Sequence, residues 1–293
     1  MAAGQTLGAL MRKSVLGGAI VVLVIAVAGC SGTSDQSGAP SSAATPLVPT
    51  PSQAASSPAA ETAEWSYTGA NGPENWSVIA PACAATPQST ESPIDIQIDS
   101  LAASPATPVT VSYKPAEFEI ENNGYTVEAI PLDTTQNSIT LGDTAYYLQQ
   151  FHFHAQSEHQ LDGRHAPLEM HLVHRSDSGE LAVLGVLLDS GAPNEPLSDL
   201  FDSIPGQENE DEPTALTDAI DLTKVFPADG ELAQYQGSLT TPPCTEGVRW
   251  NVFLTPVTIA DEQLAAYSTA FSNNSRPVQP LNGRAVVKAH SGQ

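Results

Sequence analysis

Apolar positions come in short bursts through the middle and C-terminal parts of the chain. β-Branched and aromatic runs occupy Val109–Tyr113, Tyr125–Ile130, Tyr146–His154, Leu168–His174, Leu181–Leu188 and Val248–Leu254. Turn dipeptides punctuate them: Asn-Gly at 71, 123 and 282, Asp-Gly at 162 and 229, and Ser-Gly at 178 and 190. Such spacing predicts strands joined by tight turns. Helical stretches are few, with Leu197–Ile204 and Glu262–Phe271 the best candidates. The acidic run 207–213 reads as an exposed loop. These features predict a β-dominated α+β fold in one domain, with no internal repeat.

The first part of the chain follows another pattern. Arg12 and Lys13 precede an apolar run, Val15–Ala28, which ends at Gly29-Cys30. A charged region followed by a short apolar one is the layout of a secretory signal. Small residues directly before Cys30 resemble a bacterial lipobox, in which that cysteine is lipidated; an ordinary secretory signal with a chance cysteine is the other reading. Residues 31–62 are mostly Ser, Ala, Thr, Pro and Gly, which cannot bury a core and read as a flexible tether. The expected organisation is a lipoprotein signal peptide over 1–29, a lipid-anchored tether over 30–62 and a folded body over 63–293. The body would lie on the outer face of the cell membrane, or on the outer membrane or in the periplasm if there are two membranes.

Composition narrows the partners. Ten Lys and Arg stand against 33 Asp and Glu, a formal net charge of -23. Such a surface repels phosphate backbones, which argues against nucleic acid. Cys83 and Cys244 lie far apart in a chain read as exported. They fit a disulfide in an oxidising compartment, or two buried free thiols.

Five of the seven histidines lie between His152 and His171. In Phe151-His152-Phe153-His154, alternate residues of a strand share a face. His152 and His154 would point together, with Phe151 and Phe153 entering an apolar layer. Alone, the pair also fits a half-exposed polar strand face. A second run, Glu169-Met170-His171-Leu172-Val173-His174, follows a turn at Asp162-Gly163. If it pairs antiparallel, His171 faces the same space. Three imidazoles leave a tetrahedral zinc with a fourth position for water, as in catalytic sites. Glu169 shares the face of His171 and suits a carboxylate that fixes a ring tautomer.

These motifs, together with Trp65-Ser66-Tyr67, Asn71-Gly72-Pro73-Glu74-Asn75-Trp76, Ser92-Pro93-Ile94-Asp95-Ile96, Asn122-Asn123-Gly124, Ser157-Glu158-His159, Gly237-Ser238-Leu239-Thr240-Thr241-Pro242-Pro243 and Arg276-Pro277-Val278-Gln279-Pro280-Leu281, resemble the α-class carbonic anhydrases. The resemblance spans roughly 65–288. It implies a large twisted, mostly antiparallel central sheet with short peripheral helices. It also implies zinc on His152, His154 and His171, which lowers the pKa of a water to about 7 and supplies hydroxide for reversible CO2 hydration.

By the same resemblance, Thr240 accepts from that nucleophile and donates to Glu158, since a hydroxyl has one proton. Gln150 and Glu169 orient His152 and His171, and His159 is a buried structural histidine. Tyr235 belongs to the Thr240–Glu158 network, and Tyr67 orders water. Val173, Val183, Leu239 and Trp250 wall a CO2 pocket whose mouth Thr241 lines; from sequence alone these four read equally well as sheet core. Bacterial members link the cysteines matching Cys83 and Cys244. Sulfonamides and anions are expected inhibitors at the zinc.

The match fails in places. Fast members place a proton-shuttling His after Asn-Asn-Gly; here Tyr125 stands there, and a phenol is a poor relay at neutral pH. Glu91 occupies a position that commonly holds Gln, and Ala155 follows the second ligand where animal members usually have Trp. Two other readings are a catalytically silent binding module and a zinc esterase.

Overall fold

The computed structural model describes residues 64–103 and 105–292. The expectations for the signal peptide, the tether and Cys30 fall outside them. Among the described residues, no helix is long and apolar enough to cross a membrane.

Among the described residues, fourteen strands run in chain order. They are β1 Asp95–Ile96, β2 Val109–Ser112, β3 Phe118–Asn122, β4 Val127–Pro131, β5 Ser138–Leu141, β6 Thr144–His154 and β7 Gln160–Leu161. Then come β8 Leu168–Ser176, β9 Leu181–Ser190, β10 Thr214–Ala215, β11 Glu231–Ser238, β12 Glu246–Phe253, β13 Val257–Ile259 and β14 Val287–Gly292. The helices are α1 Trp76–Ile79, α2 Ser198–Asp202 and α3 Asp261–Ala270. Twelve strands form one sheet, and β1 pairs with β7 separately. In the large sheet β9 pairs in parallel with β12 and β13, and β14 with β2; the other pairings are antiparallel. The β-dominated fold with short helices is as the sequence predicts.

At its centre β8 pairs with β6 on one side and β9 on the other. Both β8 and β9 are buried almost throughout, as expected of strands covered on both faces. One face carries the larger core, including Tyr146, Leu148, Phe151, Phe153 and Leu172. The other carries a smaller one built on Val183, Tyr235, Val248 and Trp250. A third cluster gathers Trp76, Cys83 and Cys244, with Trp65 and Tyr67 against it.

The six apolar runs give β2, β4, β6, β8, β9 and β12; the other eight strands, short or interrupted by polar residues, are not among them. Leu197–Ile204 gives only α2, preceded by a 3-10 turn at Glu195–Leu197; Pro205 disfavours α geometry at Ile204 just before it. β11 escapes the apolar-run criterion because Gln234, Gln236 and Gly237 interrupt it.

Candidate active site

The strand β6 does not alternate from end to end. Its register with β8 shifts between Leu148 and Gln150, a bulge at Gln149. Tyr146 and Leu148 precede it and Phe151 and Phe153 follow it, yet all four enter the same core. The extra residue moves the inward phase from even to odd positions, as bulges re-aim side chains. Gln150, His152 and His154 are thereby turned to the other face.

Across the ladder His171 lies opposite His152, Val173 opposite Gln150 and Glu169 opposite His154. The three rings converge, with centroids 5.0 Å apart for His152 and His154, 5.4 Å for His152 and His171 and 4.6 Å for His154 and His171. One ring nitrogen from each lies within 4.8 Å of the others.

Outer partners settle which nitrogens face inward. Gln150 Oε1 accepts from His152 Nδ1 at 2.8 Å, and the Asn274 carbonyl accepts from His154 Nδ1 at 2.7 Å. Those oxygens have no proton, so both Nδ1 atoms carry one and both Nε2 atoms are bare. His154 Nε2 is buried with no hydrogen-bond partner. His171 is turned the other way: its Nε2 lies 3.0 Å from Glu169 Oε1, leaving Nδ1 for the centre. Burial lowers all three pKa values, that of His154 to about 4, so the rings are neutral at pH 7. Three neutral imidazoles with converging lone pairs fit a divalent cation.

Around them the acids divide by environment. Glu169 is fully buried, yet His159 and His171 hold its pKa well below the usual range. Its Oε2 accepts the amides of Glu158 and His159, each at 2.8 Å, and its Oε1 accepts His159 Nδ1 at 2.7 Å. His159 Nε2 then accepts from Tyr235, at 2.6 Å, and Tyr235 in turn accepts from Ser92, at 2.9 Å. Tyr235 thus reaches the Glu158 neighbourhood through His159 and Glu169. Gly237 permits this packing, because a Cβ there would lie 2.1 Å from Ser92 Oγ.

Glu158 is also fully buried, and its Oε1 accepts the Arg276 amide at 2.7 Å. Burial pushes its pKa up to about 7, while His171, the Thr240 hydroxyl and the Arg276 amide pull it down. Thr240 is nearly buried. Val183 and Trp250 pack in the smaller core with Val173 and Leu239 against them, so the four proposed wall residues form one apolar patch. Trp250 lies tilted against His159 and edge-on to His171, with centroids 4.7 and 4.8 Å apart. The Thr241 carbonyl accepts the Cys244 amide, and Cys244 forms a disulfide with Cys83.

The remaining residues fall as follows. Tyr67 packs edge-on against Trp65 and Trp76. Tyr125 stacks on Trp65 beside Glu64, Glu208 and Glu210. His165 is tied to Ser157 and Gln160 in the turn between β6 and β8. His174 points away from the triad and bonds Tyr113. Sequence reasoning missed Asn274 and the Arg276 amide, which act through backbone atoms and leave no side-chain signature.

A family model described as eukaryotic-type carbonic anhydrase matches residues 71–290. A carbonic anhydrase of Klebsiella pneumoniae is 39% identical over 76% of this chain and 90% of its own length. Among solved structures, the α-carbonic anhydrase of Thermovibrio ammonificans, in complex with the inhibitor sulfanilamide, is 38% identical, with a TM-score of 0.71 over 76% of this chain and 98% of that one. Dioscorin complexed with ascorbate is 28% identical, with a TM-score of 0.69 over 78% of this chain and 99% of that one. The chain belongs to the eukaryotic-type, or α, carbonic anhydrase family.

Proposed function

We propose that the protein is a zinc-dependent carbonic anhydrase, interconverting CO2 and bicarbonate. The observation that carries this is the convergence of bare nitrogens from His152, His154 and His171 beside the Thr240–Glu158 pair and an apolar patch. Zinc, when bound, supplies Lewis acidity and a water acidic enough to give hydroxide near neutral pH.

The chain's own residues do the rest. Glu158 Oε1 is held by the Arg276 amide, and its buried Oε2 has no other partner, so it is free to accept the single proton of the Thr240 hydroxyl in a hydrogen bond. Thr240 Oγ1 then offers only lone pairs and orients the attacking group by accepting from it. Val173, Val183, Leu239 and Trp250 give an uncharged substrate a dry surface, and Thr241 lines the mouth. Sulfonamides and anions would compete at the same centre. Tyr125 stands where a shuttle is needed, so proton export limits turnover.

We infer further that the body is exported and tethered by lipid at Cys30. The N-terminal charge and hydropathy pattern supports this, as does a disulfide, which suits an oxidising compartment.

The test is stopped-flow CO2 hydration with zinc content known. Activity that disappears on chelation and in His154→Ala supports the reading. A zinc-loaded protein without hydration, or one acting on esters alone, would overturn it.

A further inference from the structure

We propose that the buried ion pair between Glu91 and Arg276 positions the metal centre by anchoring the segment that orients both His154 and Glu158. The inference rests on the metal-site reading above and extends it to two residues that touch none of the three histidines.

Arg276 Nη1 donates to Glu91 Oε2 at 2.6 Å and to the Ser92 carbonyl at 2.7 Å, while Nη2 donates to the Cys83 carbonyl at 3.0 Å. The pair is almost wholly buried, at 2% and 1% exposure. Arg284 holds the Glu91 carbonyl at 2.7 Å. Ser238 Oγ, two residues before Thr240, lies 3.4 Å from Glu91 Oε2. One guanidinium thus ties together the disulfide segment, the Glu91-Ser92 segment and the chain before Pro277. Its rigid planar fork fixes the angle of its own backbone, which a flexible ammonium would not.

That backbone has two tasks at the site. The Asn274 carbonyl accepts from His154 Nδ1 at 2.7 Å, and two residues on the Arg276 amide donates to Glu158 Oε1, also at 2.7 Å. The first bond turns a bare Nε2 toward the metal. The second aims the carboxylate that constrains Thr240. A swing of this short segment would loosen both together. Burying two charges is costly and stabilises little by itself, so holding geometry is a better account of the pair than stability alone.

The experiment compares the intact protein with Glu91→Met, Arg276→Lys and Glu91→Gln. Zinc dissociation constants come from chelator competition, with kcat/KM for CO2 and the melting temperature measured alongside. Glu91→Met and Arg276→Lys should each weaken zinc binding by roughly 10-fold or more, the usual loss when an outer partner of a ligand is removed. Their kcat/KM should fall in parallel, and Glu91→Gln, which keeps an acceptor, should restore much of both. Should Glu91→Met fail to fold, Arg276→Lys keeps the charge and carries the test. Folded variants that melt lower but bind zinc with unchanged affinity would reduce the pair to a structural brace and overturn the proposal. If the wild type binds zinc but hydrates no CO2, the functional reading fails while the zinc affinities still decide the positioning role.

Discussion

Tyr125 lies flat against Trp65, with ring centroids 3.9 Å apart and planes 12° apart, and its hydroxyl donates to the Trp65 carbonyl at 3.2 Å. The phenol is packed and its proton is in use. Partial burial and the nearby Glu64, Glu208 and Glu210 raise its pKa above the ordinary value. It therefore stays protonated near pH 7 and cannot take up a proton from the site.

On the proposed zinc-hydroxide reading, the expected kinetic consequence is a dependence on buffer. Turnover should climb with buffer concentration where a built-in shuttle would let it level off. Tyr125→His should raise kcat in dilute buffer by roughly 10-fold or more, below the full contribution of a well-placed relay, and leave kcat/KM near its starting value. Stopped-flow traces over a buffer series check this. A wild type already saturated in dilute buffer would show that protons leave by another path.

Glu158 and Thr240 give a second prediction. If the carboxylate forces the hydroxyl to donate outward and accept inward, Glu158→Gln removes that constraint, because an amide can itself donate. Thr240→Val removes the hydroxyl altogether. Each should lower kcat/KM by roughly 100- to 1000-fold, the scale seen when one group tuned to a transition state is lost. Zinc content should be unchanged, since neither residue is a ligand. Hydration rates measured beside metal analysis separate this result from simple loss of zinc.

The catalytic face was legible where the chemistry lay in side chains close in sequence. Phe151-His152-Phe153-His154 announced two faces, and Glu169 and His171 announced a partner strand. Why the histidines face away from the main core was not legible. Tyr146–His154 reads as one regular strand, and the bulge at Gln149 that swaps its phase is a property of the pairing with β8. The adjacent Gln149-Gln150 is its only trace in the sequence. Contacts made by the main chain of Asn274 and Arg276 reach across more than a hundred residues, and no local pattern encodes them. Glu91 was visible as a departure from the family, but its partner was not.

Glu128 predicts how stability depends on pH. It sits on β4 opposite His152, largely buried, with Asn123 as its hydrogen-bond donor. Burial, then Glu121 and Glu210, raise its pKa from 4.5 to about 7. The folded state therefore holds this proton more tightly than the unfolded chain does. The group's favourable contribution is complete below about pH 4.5, fades between there and 7, and is gone above. In the metal-free protein Glu128→Gln should raise stability at pH 8 by about 1–3 kcal/mol, from the conversion of a pKa difference into energy. The gain should vanish near pH 4.5. Thermal melts at both pH values decide it, and an equal gain at both would remove titration as the cause.

The disulfide supplies the last prediction. Cys83 and Cys244 are separated by 161 residues, with Cα atoms 5.1 Å apart. Closing so long a loop restricts the unfolded chain strongly, and losing a native disulfide typically costs about 2–5 kcal/mol. The bond also holds two parts of the site. The Cys83 carbonyl receives Arg276 Nη2, and the Cys244 amide donates to the Thr241 carbonyl in the turn that carries Thr240. Paired replacement, Cys83→Ala with Cys244→Ala, should therefore lower the melting temperature and also reduce kcat/KM at temperatures where the protein is still folded. Reductant should reproduce both effects in the wild type and change neither in the double variant. A lower melting temperature with unchanged kcat/KM would confine the bond to stabilising the fold and show that the Thr240 turn keeps its shape without it.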